Sequence, residues 1–281
     1  MKNIKPIRGR RLTGLSAAAP LRPANPCLLS LDGGVADDWL GGGLRADGLH
    51  EGYAATAQDI GSMLGFLLLL GQIARRGSDD AAILWLRDQG AARIAGQAYG
   101  PGLVELGIAP DTLTLVALPD ARALLRAGLD SVRAGGAAAV LLELHGRQPL
   151  LDLTASRRLA LAAAETGTMV LIARGMGEQV ASAAHTRWQV ASAPSSRLLA
   201  SRLRTSPSST AAPGAPAFAL TLLRQRGGRD GLNIMLEWNR DTARFAERPV
   251  VETLYTAAPL SGAPLATSGG RARDQERHRA A

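Results

Sequence analysis

Lysine disappears from the chain after Lys5, although the 281 residues contain 32 Lys and Arg. A phosphate loop of the usual kind needs a lysine to neutralise the β- and γ-phosphates, so none can exist in the folded region. Cysteine is nearly as scarce. Cys27 alone excludes an internal disulfide, and with His50, His145, His185 and His278 it makes no structural-zinc spacing, which fits a reducing, cytoplasmic compartment. Aromatic residues are only 4% of the chain against 46% hydrophobic, so the apolar content is aliphatic, as in helices packed on buried strands. The longest apolar window, Met63–Ala74, is twelve residues. Roughly twenty are needed to cross a bilayer, so it reads as a buried core helix.

Acidic residues are also missing where it matters. From Gln179 to Arg229 there is no Asp or Glu, against seven arginines: Arg187, Arg197, Arg202, Arg204, Arg224, Arg226 and Arg229. Residues 1–12 add five basic residues and no acid to a net charge of +8. Cationic character gathered in two places points to a polyanion or an acidic partner. Arg10-Arg11 followed by Ser16–Ala19 resembles a twin-arginine signal, but Pro20, Arg22 and Pro23 break the apolar stretch. Residues 1–26 therefore read as a flexible basic arm.

What remains is a run of alternating elements. Leu49–Tyr53, Ala82–Leu86, Leu113–Leu118, Ala138–Leu144 and Met169–Ala173 are continuous apolar segments of strand length. Between them, 60–76, 121–133 and 154–166 have helical length and spacing. Strands without polar alternation, separated by helices, predict an α/β domain with a mostly parallel sheet covered on both faces. Ala217–Leu223 and Asn233–Trp238 alternate instead, and Arg226–Gly231 between them signals an antiparallel hairpin. The predicted layout is one domain over 27–245, with a flexible Ser/Pro loop at 205–216 and a flexible tail over 246–281.

The loop after Leu49–Tyr53 has the place and length of a phosphate loop but not its residues. It runs Ala54-Ala55-Thr56-Ala57-Gln58-Asp59-Ile60-Gly61-Ser62, with no lysine and with an acid at Asp59. Phosphoryl transfer depends on clamping the γ-phosphate electrostatically, so productive ATP hydrolysis is not expected. Glu143 ends a strand where a magnesium-binding carboxylate would sit, and Asp88 another where a water-activating one would. Without the phosphate loop they read as vestiges. Ala54, Thr56, Asp59, Ile60, Gly61, Ser62, Asp88 and Glu143 thus form an expected vestigial nucleotide site, with no cofactor, no metal and no catalytic residue. No G-x-S-x-G occurs, and Gly41-Gly42-Gly43 is not a dinucleotide-binding fingerprint.

Several segments in order carry a family resemblance. They are Leu40-Gly41-Gly42-Gly43-Leu44, Gly48-Leu49-His50-Glu51, Tyr99-Gly100-Pro101-Gly102-Leu103, Leu153-Thr154-Ala155-Ser156-Arg157-Arg158-Leu159, Ala184-His185-Thr186-Arg187-Trp188, and Leu223–Gly228 with Leu236-Glu237-Trp238. Over residues 28–245 the chain resembles ImuA, the RecA-like accessory protein of bacterial damage-induced mutagenesis. On the wider likeness to RecA, Ile60 takes the lysine position, Gly61 the magnesium-binding hydroxyl position, Asp88 the catalytic carboxylate and Glu143 the second acidic motif. The resemblance implies a RecA-like fold and a place in SOS-induced translesion synthesis and DNA repair. It implies ImuB and an error-prone DnaE-type polymerase as partners, RecA as a further one, and DNA directly or through them.

The surface expected to make those contacts is basic. Arg187 and Trp188 suit phosphate and stacking contacts, although Trp188 fits core packing equally well; Arg224, Arg226 and Arg229 suit backbone phosphates. Arg157 and Arg158, early in a helix, suit an acidic partner segment or a solvated face. Two other function classes fit the same residues: a DNA-stimulated nucleotidase using Asp88 and Glu143, and a SulA-like inhibitor of cell division.

Overall fold

A computed structural model of the chain describes residues 27–75, 81–195 and 214–248. The basic arm at 1–26, most of the Ser/Pro loop and the tail beyond Arg248 lie outside them. The elements run β1 (Leu28–Leu29), α1 (Val35–Leu40), β2 (Leu44–Arg45), β3 (Leu49–Ala54), α2 (Ile60–Arg75), β4 (Ala82–Asp88), α3 (Ala91–Ala95) and α4 (Gly100–Glu105). They continue with β5 (Leu113–Leu118), α5 (Ala121–Ala134), β6 (Ala137–His145), α6 (Leu153–Thr166), β7 (Met169–Gly175), β8 (Thr186–Ala193), β9 (Ala217–Gln225), β10 (Asn233–Asn239) and β11 (Arg244–Arg248).

Among the described residues, nine strands form one sheet in the order β11-β10-β9-β8-β3-β7-β6-β4-β5. From β8 to β5 every pairing is parallel; β9, β10 and β11 add on antiparallel. The fold is mixed α/β, as the unalternating apolar segments predict. The five apolar strands and three long helices of the sequence reading appear within a residue or two. β7 is buried at every position and β3 at all but its last, as strands covered on both faces must be.

Helix α2 lies against one face of the sheet. Eleven of its sixteen residues are buried, so its apolar length is spent on the core. Its Leu67 occupies the space over Gly52 of β3: a Cβ there would sit 3.0 Å from Leu67 Cδ1, and any larger residue would push the helix off the strand. Trp188, Val190, Leu141 and Leu171 complete this layer. On the opposite face α5 and α6 cover Leu49, Leu142, Val170 and Ile172. Asp120 and Asp152 cap these helices by accepting hydrogen bonds from Ala123 N–H and Ala155 N–H, at 2.8 and 2.7 Å.

Two strands depart from the sequence reading. β8 falls in the acid-free, arginine-bearing stretch read there as a contact surface, yet it pairs with β3 and β9 in the middle of the sheet. β11 carries the sheet through Arg248, three residues into the segment assigned to the tail. Its backbone also meets the segment after β1, where Phe245 N–H donates to the Leu31 carbonyl at 3.1 Å.

Candidate functional site

The turn between β3 and α2 is the place to look for phosphate binding, because a helix N-terminus there presents free N–H groups to a ligand. Thr56 is extended and stops the strand; Ala57–Asp59 make one 3-10 turn before the helix. The anion in this turn belongs to the chain. Asp59 Oδ2 accepts from Thr56 N–H at 3.1 Å and Thr56 Oγ1 at 2.7 Å, a capping box closed on itself. Asp59 Oδ1 accepts from Ser192 N–H at 2.8 Å and Ser192 Oγ at 2.9 Å, which ties the turn to β8. The Ser192 N–H, then Thr56 Oγ1, hold this carboxyl below the usual carboxylate range against the opposing effect of burial.

Ile60, read in the sequence at the place of a phosphate-loop lysine, is 4% exposed and packs into the core layer beneath the sheet. Gly61 is exposed and Ser62 half-buried, while Ala54 closes the strand. These six residues lie along one strand–helix junction, whose Thr56 donors are taken by Asp59.

The two other acids expected at this site are held elsewhere. Glu143 on β6 is fully buried, and three donors surround its carboxylate. Oε2 accepts from Trp85 Nε1 at 2.8 Å; Oε1 accepts from Arg87 Nη2 at 3.0 Å and from His145 Nε2 at 2.8 Å. Arg87 also donates to the Gly96 carbonyl at 3.0 Å and lies over the Trp85 ring. The histidine is seated by its neighbour strand, because a Cβ on Gly175 would come 2.2 Å from His145 Nδ1. Asp88 follows Arg87, whose register partner is Glu143, so strand alternation turns Asp88 to the other face. Its Oδ1 accepts from Ala91 N–H at 2.8 Å and caps α3. Glu143 is a buried ion-pair centre and Asp88 a helix cap, each engaged by protein groups.

A second buried cluster lies on the α6 face, and the sequence reading did not assemble it. Glu51 of β3 accepts from Tyr53 OH at 2.9 Å and pairs with Arg187 Nε at 3.3 Å and Arg174 Nη1 at 3.7 Å. Arg187 donates in addition to Ser182 Oγ at 2.9 Å. Burial, and the Glu51 charge beside it, push the Tyr53 hydroxyl well above its usual range. Two guanidiniums on one carboxylate leave an excess positive charge inside the protein. A signal existed: Glu51, Arg174 and Arg187 each interrupt or end an apolar strand, and a charge inside a buried strand needs a partner.

This geometry corrects two expected contacts. Arg187 is 7% exposed and committed to Glu51, and Trp188 is fully buried against Phe66. Neither offers a face to DNA, and core packing is the role Trp188 fills. Its Nε1 donates to Thr186 Oγ1 at 2.9 Å, and that hydroxyl meets His50 Nδ1 at 2.8 Å. Nε2 of His50 then donates to the Arg45 carbonyl at 2.9 Å, which fixes the neutral tautomer. Burial brings the His50 imidazole down to about 4.

The remaining five arginines stay at the surface. Arg157 and Arg158 are exposed on α6, and Arg224, Arg226 and Arg229 are exposed along the β9–β10 hairpin. The hairpin tip docks on α1: the Arg229 guanidinium lies 4.4 Å from the Trp39 ring centroid, and Trp39 Nε1 donates to the Arg229 carbonyl at 2.9 Å. Gln225 Nε2 donates to the Leu40 carbonyl at 3.1 Å beside it.

No family model and no curated protein matches the chain. Among solved structures it is similar to the crystal structure of the RadB recombinase. That likeness has a TM-score of 0.46 and 15% identity, covering 73% of this chain and 93% of that one.

Proposed function

We propose that this chain is a RecA-like accessory protein of SOS-induced translesion synthesis and repair, acting without nucleotide hydrolysis. Its work is to bring ImuB and an error-prone DnaE-type polymerase together at damaged DNA. The ImuA-like segments of the sequence supply the partners. The observation that carries the non-hydrolytic part is Asp59: a carboxylate held by four hydrogen bonds fills the turn where a triphosphate would bind. A second negative charge brought there would meet repulsion and find no lysine. The buried Ile60 and the engaged Glu143 and Asp88 support the same reading. What is left for function is surface, above all the exposed arginines.

The deciding experiment is phosphate release by the purified full chain with Mg-ATP, with and without single-stranded DNA. Turnover no greater than that of a mock purification is expected in both cases. DNA-stimulated turnover at a rate typical of a recombinase motor would overturn the proposal.

A further inference from the structure

Between α5 and α6, on the face of the sheet away from the β3–α2 turn, lies an open groove of about 280 Å³. Leu125 and Leu129 of α5 and Leu159 of α6 form its apolar floor, and Leu150, 42% exposed, also lines it. Arg122, Arg126 and Arg158 stand along its rim. All three guanidiniums belong to exposed residues, and none joins an ion pair among the described residues. Asp120 and Asp152, at the N-terminal ends of the two helices, are occupied as helix caps, and Asp130, one turn beyond Arg126 on α5, forms no ion pair with it among the described residues. Helical spacing makes the pattern regular: Arg122 and Arg126 are one turn apart, and so are Leu125 and Leu129.

An apolar floor with a cationic rim has a definite complement. We propose that this groove binds a short acidic, leucine-bearing segment of a partner protein, with leucines on the floor and Asp or Glu side chains against the three arginines. Charge complementarity selects the acidic flank, because three guanidiniums with no ion-pair partner among the described residues sit within one groove. The leucine floor selects protein over nucleic acid: a phosphodiester backbone would satisfy the rim but leave the floor wet, and no aromatic ring lines the groove for base stacking. This deepens the adaptor reading and rests on it, since an adaptor must carry at least one partner-binding surface. It also gives the Arg157-Arg158 pair a division of labour, with only Arg158 facing the groove.

The test uses the full chain and a fluorescein-labelled amphipathic 18-mer with leucines at i, i+4 and i+7 on a Glu/Asp background. Saturable binding by fluorescence anisotropy is expected. The same peptide with serine at the leucine positions should bind at least ten-fold more weakly. The triple variant R122E/R126E/R158E should lose at least ten-fold for the acidic peptide and gain affinity for its Lys-substituted counterpart, a swap that separates a groove effect from unfolding. Equal binding by the serine peptide, or by the triple variant, would overturn the proposal. So would a groove-dependent loss of affinity for a 20-nucleotide single strand without any peptide effect. The two readings fail separately. If the wild-type chain recovers neither ImuB nor the polymerase from damaged cells, the adaptor reading falls; if the triple variant recovers both as wild type does, only the groove falls.

Discussion

Asp59 concentrates four hydrogen bonds on one carboxylate, so its loss strands donors from two elements at once. Asp59→Ala is expected to lower unfolding free energy by roughly 2 kcal/mol in urea titrations, since four partly buried hydrogen bonds lose their charged acceptor. Ile60→Lys restores in name the missing cation, but the side chain points into the core. It should cost about 3 kcal/mol or more and confer no ATP turnover, because a lysine there is buried without a partner. A stable, ATP-hydrolysing Ile60→Lys protein would show that the turn opens more readily than its hydrogen bonds imply. The residue scale is where the sequence was least legible. Nothing in Asp59's neighbours announces that Ser192, far along the chain, supplies half its donors. Trp188 read equally as a stacking residue and a core residue, and only the strand pairing of β8 decides it.

At the scale of elements, most of the fold could be read in advance. Five apolar strands and three long helices follow from periodicity alone, because each is covered on both faces or along one stripe. β8 could not, since its Thr186, Arg187 and Gln189 look like surface residues until Glu51 and His50 are brought beside them. The short helices α1, α3 and α4, none longer than six residues, leave too little periodicity to detect. Two arginines of the same acid-free stretch, register partners on β8 and β9, should therefore behave oppositely. Arg187→Ala removes the nearer of the two cations on buried Glu51 and the donor to Ser182, and should destabilise by about 2 kcal/mol. Arg224→Ala, on an exposed residue, should change stability by less than about 0.5 kcal/mol. Chemical denaturation of the two single variants measures both, and similar losses would contradict the assigned burial.

Across the whole molecule, charge is stored on both faces of the sheet: Glu143 with Arg87 under α2, and Glu51 with Arg174 and Arg187 under α6. Added to these is a buried neutral histidine whose titration sets an acid limit. His50 goes from an ordinary 6.5 in the unfolded chain to about 4 in the fold. The unfolded chain therefore binds more protons between those values, and stability falls as pH drops through that window. The His185 imidazole, lowered chiefly by burial, adds in the same direction. His50 alone should account for roughly 2–3 kcal/mol between pH 7 and 4.5. Urea midpoints at the two pH values, compared with those of His50→Gln, isolate that share; an equal decline in the variant would assign the loss to other groups.

The docking of the β9–β10 hairpin on α1 also bears on how the molecule is born. Trp39 waits for Arg229, 190 positions later, and Leu40 for Gln225, 185 positions later. A ribosome releases the first partner of each pair long before it has made the second, so this seam closes only after nearly the entire domain has been synthesised.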